Sequence, residues 1–104
     1  MPAGSLGADM SDMNEFQVSC ESALVSALGE PISRREVLGS SERYIVGHLP
    51  GTELRIFIYS DGAEISGPGV DSRFERPDYA SLTALCQAFI RKALDLRNAG
   101  VWLG

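Results

Sequence analysis

Residues 54–66 read Leu54-Arg55-Ile56-Phe57-Ile58-Tyr59-Ser60-Asp61-Gly62-Ala63-Glu64-Ile65-Ser66. Side chains alternate between two faces along a strand, and apolar residues recur here with that period of two on both sides of Asp61-Gly62. This dipeptide predicts a type I′ hairpin turn, which needs positive φ at both central positions. A two-residue turn at that point sets Ser60 opposite Ala63, Tyr59 opposite Glu64 and Ile58 opposite Ile65. Ile56, Ile58 and Ile65 then share one face, while Arg55, Phe57, Tyr59 and Glu64 share the other.

Toward the amino terminus, Tyr44 to Leu49 continues the pattern and Pro50-Gly51 marks a turn. If that turn also has two residues, Ile45 lies opposite Ile56 and His48 opposite Glu53. Ile45, Leu49 and Leu54 then join the aliphatic face, whereas Tyr44, Val46, His48 and Glu53 join the aromatic one, with Tyr44 across from Phe57. A weaker strand is expected over Arg34 to Gly39. Beyond Ser66, Gly67-Pro68-Gly69 reads as a bend carrying the chain from sheet to helix.

Outside the strands the period changes to three and four. Met13, Phe16, Cys20, Ala23, Leu24, Ala27 and Leu28 mark one face of a helix. Order is expected from Ser11 or Asp12, with Asp12 and Glu15 at capping-box spacing, and Gly29 and Pro31 end the helix. Leu82, Leu85, Cys86, Phe89, Ala93 and Leu96 form a second stripe over 78–98, with Asp78 as N-cap and Gly100 as the stop. Arg91, Lys92 and Arg97 lie toward its carboxyl end, where cations favour the helix dipole. The sequence therefore predicts an α+β domain of order α-β-β-β-β-α, a meander of three to four antiparallel strands with both helices on one face. Residues 1–10 are expected to be a flexible arm, with Met1, Met10 or Met13 as the start, and 11–104 a single domain.

Fourteen acidic residues against nine basic ones give a formal charge of -5. Asp9, Asp12, Glu15, Glu21 and Glu30 fall in the first thirty residues, which contain no Lys or Arg. Nucleic-acid affinity comes largely from cations that neutralise phosphates, so the charge argues against that class of partner. Some RNA-binding modules stack bases on an open sheet, but they surround their aromatics with cations, and only Arg55 is expected beside these. The order of elements resembles the double-stranded-RNA-binding domain in outline; the second helix, however, opens on Asp78 rather than on a basic residue. No apolar run is long enough for a membrane span. The opening residues lack signal-peptide character, so a cytoplasmic setting with Cys20 and Cys86 reduced is expected.

Few residues point to chemistry. His48 is the single histidine; catalysis would need a nucleophile or second titrating group beside it, and the cysteines are assigned to helices on the opposite side of the sheet. One His and two distant Cys give no metal-ligand spacing, and Gly67-Pro68-Gly69 lacks the Gly-Lys-Ser/Thr of a phosphate loop. No catalytic residue, metal ligand or cofactor is therefore assigned. The informative feature is the aromatic face, because the open side of an antiparallel sheet is normally polar. Tyr44, Val46, Arg55, Phe57 and Tyr59, with Trp102 of the apolar tail, are the candidates for an interface with a second copy or one protein partner. For the alternative, a small-ligand-binding protein or minor enzyme with its pocket between helices and sheet, Tyr44, His48, Arg55 and Tyr59 are the candidates.

Overall fold

The computed structural model describes residues 14–39 and 42–99. In chain order they form α1 (Glu15–Leu28), β1 (Ser33–Leu38), β2 (Arg43–His48), β3 (Arg55–Tyr59), β4 (Gly62–Gly67), β5 (Val70–Glu75), a 3₁₀ turn (Arg76–Asp78) and α2 (Leu82–Asn98). The five strands form one antiparallel meander in the order β1-β2-β3-β4-β5, and both helices pack against it. The α+β arrangement is as the sequence predicts, with one strand more. The expected arm (residues 1–10), the Asp12 cap, Gly100 and the Val101-Trp102-Leu103 tail lie outside the described residues.

The extra strand comes from Gly67-Pro68-Gly69, which is a hairpin turn and not a bend into the helix. Proline suits the second position of a type II turn and glycine the third, where φ is positive; Gly69 has φ 76°. Val70–Glu75 then returns along β4, and its Phe74 meets Phe89 of α2 edge to face at 5.7 Å.

Both central hairpins differ from the sequence register. Ser60 and Asp61 form the β3–β4 turn, so Tyr59 faces Gly62 and Ile56 faces Ile65. Neither Asp61 nor Gly62 has positive φ. Two tertiary demands move the turn. The Glu42 carboxylate accepts from the Ser60 hydroxyl, and Asn14 Nδ2 donates to the Ser60 carbonyl at 2.8 Å. Gly62 meanwhile belongs to β4, where a Cβ would approach the Phe74 carbonyl oxygen to 2.8 Å. Gly62→Ala should therefore push β5 off β4 and cost about 1–3 kcal/mol, read as a lower urea midpoint.

The β2–β3 loop has four residues. Leu49 N donates to the Leu54 carbonyl at 2.9 Å, and His48 faces Arg55, not Glu53. Thr52 is the reason: its buried hydroxyl donates to the Leu49 carbonyl and accepts from Leu54 N, both at 2.9 Å, which closes the longer loop. Glu53 accordingly lies in this loop, and Tyr44 meets Tyr59 rather than Phe57. Each register has moved by two residues, an even number, so every strand side chain keeps its expected face.

The core is the aliphatic face against the helix stripes: Ile45, Leu49, Leu54, Ile56, Ile58 and Ile65 beneath Cys20, Leu24, Leu85, Phe89 and Ala93, all at most 1% exposed. Gln17 is the polar member of this layer, also 1% exposed. Asn14 and Gln17 form the capping box of α1, in place of the expected Asp12–Glu15 pair. Gln17 Nε2 also donates to the carbonyls of Arg43 at 2.9 Å and Ile58 at 3.2 Å, fastening α1 to β2 and β3. At the other end Gly29 caps α1, and Arg97 of α2 donates to the Leu28 carbonyl at 2.9 Å.

Helix α2 starts later than expected. Pro77 and Asp78 lie in the 3₁₀ turn, Tyr79 is extended against Phe74, and Ser81 takes the cap by accepting from Ala84 N at 3.1 Å. Arg76 holds this connection by donating to the carbonyls of Tyr79 at 2.6 Å and Ala80 at 3.2 Å.

Candidate functional site

The registers arrange the face away from the helices as three rows running across the strands. One row is Val37, Tyr44, Tyr59, Gly62 and Glu75. The middle row is Arg35, Val46, Phe57, Glu64 and Arg73. The last is Ser33, His48, Arg55, Ser66 and Asp71. Phe57 is therefore the middle residue of the middle strand.

Tyr44, Phe57 and Tyr59 form one cluster. The Tyr44 and Tyr59 rings are 5.1 Å apart and tilted by 44°, and the Phe57 and Tyr59 rings are parallel within 5° at 6.2 Å. Contacts of this kind bury part of each ring, so all three are half-buried rather than fully exposed. No described element lies over them, because both helices pack on the opposite face. Val46 is half-buried beside Phe57, whereas His48 and Arg55 are exposed at the edge of the cluster. Trp102 lies outside the described residues.

Sequence reasoning assigned one Arg to this face. Strand β1 contributes Arg35 and the unexpected β5 contributes Arg73, Asp71 and Glu75. Arg35, Arg55 and Arg73 are thereby matched by Glu64, Asp71 and Glu75. Such mixed charge gives no continuous positive track for a phosphate backbone.

Tyr59 is electrostatically distinct. Its hydroxyl donates to Glu64 Oε1 at 3.3 Å. Burial, followed by the Glu64 charge, pushes the phenol from its ordinary 10.0 up to about 12. The folded chain thus keeps a proton that the unfolded chain releases, and this contribution to stability is present below pH 10.0 and lost as pH rises toward about 12. An ultraviolet titration should show one tyrosine ionising late, and Glu64→Gln should bring that transition down. A single transition, unchanged in the variant, would contradict the contact.

A further concave region lies between the helices. A cleft of about 590 Å³ is bordered by Phe16, Cys20, Ala23, Leu82, Cys86 and Ile90, among others. Tyr44, His48, Arg55 and Tyr59 are not on it; they occupy the open sheet face instead. The structure places Cys20 and Cys86 on this same cleft, a proximity hidden by their separation in sequence. Sequence reasoning also missed Gln17, although Asn14-x-x-Gln17 directly before an apolar run carried the capping-box signal.

The described residues contain no group of three or more His, Cys, Asp or Glu that could hold a metal ion, and no helix among them is long and apolar enough to cross a membrane. The geometry defines a class: an α+β domain with helices on one side of a meander and an aromatic cluster on the other. The chain matches no family model, no curated protein and no solved structure.

Proposed function

We propose that this is a non-enzymatic interaction module, of the adaptor, chaperone-like, immunity or inhibitor kind, that assembles as a homodimer through its aromatic sheet face. The observation behind this reading is the Tyr44–Tyr59–Phe57 cluster on the side of the sheet away from both helices. An aromatic centre with a charged rim has the composition of an interface core, and desolvating it favours association. Mixed rim charge suits a protein surface better than a polyanion.

Two-fold symmetry suits this face. An axis through its centre brings Phe57 against its own copy, whatever the angle between the two sheets. With strands about 4.8 Å apart and residues about 3.3 Å apart, five strands of about six residues present roughly 24 by 20 Å. That footprint, about 480 Å² a side, lies below the range of permanent interfaces and in that of weak, reversible ones. Solution mass measured from low to high micromolar protein tests the proposal: a concentration-dependent shift from monomer to dimer is expected. A monomer throughout, with no gain in mass, would reject the homodimer.

Small-ligand binding is the second reading, and the cleft between α1 and α2 favours it. Its pocket would use Cys20, Cys86 and their neighbours rather than Tyr44, His48, Arg55 and Tyr59.

A further inference from the structure

We propose that Cys20 and Cys86 are a reversible dithiol–disulfide site, oxidised by hydrogen peroxide to a covalent bridge between α1 and α2. The two residues come from different helices that pack together and line the same cleft, and each thiol acts electrostatically on the other. Cys20 is fully buried, whereas Cys86 is half-buried and faces the open volume. One thiol is therefore accessible to a small oxidant while the other waits behind it. A disulfide requires the sulfurs to close to about 2.05 Å, and the two helices that carry them already pack together.

Accessibility assigns the order of events: Cys86 meets the oxidant first, and the fully buried Cys20 resolves it. The hydrogen bond from Cys20 holds the Cys86 thiol below its ordinary range against the opposing effect of burial. That same interaction, reinforced by burial, raises the Cys20 thiol, in accord with Cys86 as the first to react.

The steps balance. The Cys86 thiolate attacks one peroxide oxygen, the O–O bond breaks, and hydroxide leaves, taking up a proton as water. Cys86 is then a sulfenic acid. The Cys20 sulfur attacks it, the S–O bond breaks, and the departing hydroxide takes the Cys20 proton as a second water. Two thiols have lost two electrons and two protons, and peroxide has become two waters. A dithiol reductant restores both thiols by exchange. Neither step uses the sheet face, so this site is independent of the proposed assembly.

The test is a peroxide titration of the reduced full chain, followed by intact mass, maleimide labelling after denaturation, and peptide mapping. Both thiols should disappear together, with the loss of two hydrogens, a Cys20–Cys86 cross-linked peptide within one chain and a raised melting temperature, all reversed by dithiothreitol. Cys20→Ala should leave Cys86 as a sulfenic acid that captures dimedone, and Cys86→Ala should leave Cys20 unoxidised. The wild-type chain decides the matter even if a variant folds poorly. Cys86 passing to sulfinic acid while Cys20 remains labelled would overturn the proposal. So would a bridge between two chains, or survival of both thiols at peroxide levels that oxidise a free cysteine peptide.

Discussion

Phe57→Asp is expected to give a folded monomer from an associating parent. Phe57 belongs to the open face, half-buried against Tyr59 and paired with Val46 and Glu64, so its replacement leaves the aliphatic core untouched. Under two-fold symmetry the new carboxylate would sit beside its own copy and beside Glu64, so the interface would lose its central aromatic and acquire two like charges without partners. Removal of a central aromatic commonly costs about 2–4 kcal/mol, and buried unpaired charge adds to it. Dimer affinity should fall by at least ~100-fold, corresponding to about 3 kcal/mol. Circular dichroism should remain that of the parent while solution mass falls to that of one chain. An unfolded variant would place Phe57 in an internal core, and a folded variant of unchanged mass would remove this face from any role in assembly.

Gln17→Ala should be the most damaging substitution of a polar residue. The Gln17 amide accepts from Asn14 N at 2.9 Å and donates to the Arg43 and Ile58 carbonyls, and the residue is 1% exposed. Alanine removes all three bonds, opens space beneath α1 and leaves two carbonyls short of a donor. Loss of stability of about 2–4 kcal/mol follows, because unsatisfied buried polar groups retain their desolvation cost. For a domain of this size the melting temperature should drop by roughly 10 °C or more. Asn14→Ala disturbs the cap and removes the bond to the Ser60 carbonyl but spares the Gln17 bonds to the sheet, so its cost should be about 1–2 kcal/mol. Equal losses in the two variants would show that the Gln17 tie to β2 and β3 adds nothing beyond the bonds that Asn14 makes.

These expectations depend differently on sequence. The aromatic face was legible because strand side chains alternate with a period of two. Both hairpins were assigned the wrong register, by two residues each, and Phe57 and Tyr59 still stayed opposite Ile56 and Ile58. Gln17 was overlooked because polarity on a helix ordinarily means solvent. What keeps it inside is a pair of carbonyls on two strands distant in sequence.

By itself, then, the sequence determined the two helices, the meander and the identity of the two sheet faces, all of which follow from local periodicity. Turn placement was decided only by tertiary structure. Asp61-Gly62 has the local chemistry of a hairpin turn, yet Glu42 and Asn14 hold Ser60, and β5 needs Gly62 to approach it closely. The fifth strand likewise depends on Phe74 finding Phe89, and the cleft shared by Cys20 and Cys86 on two helices meeting over the sheet. Local preferences at such points differ by only about 1 kcal/mol, so contacts between residues far apart in sequence outweigh them.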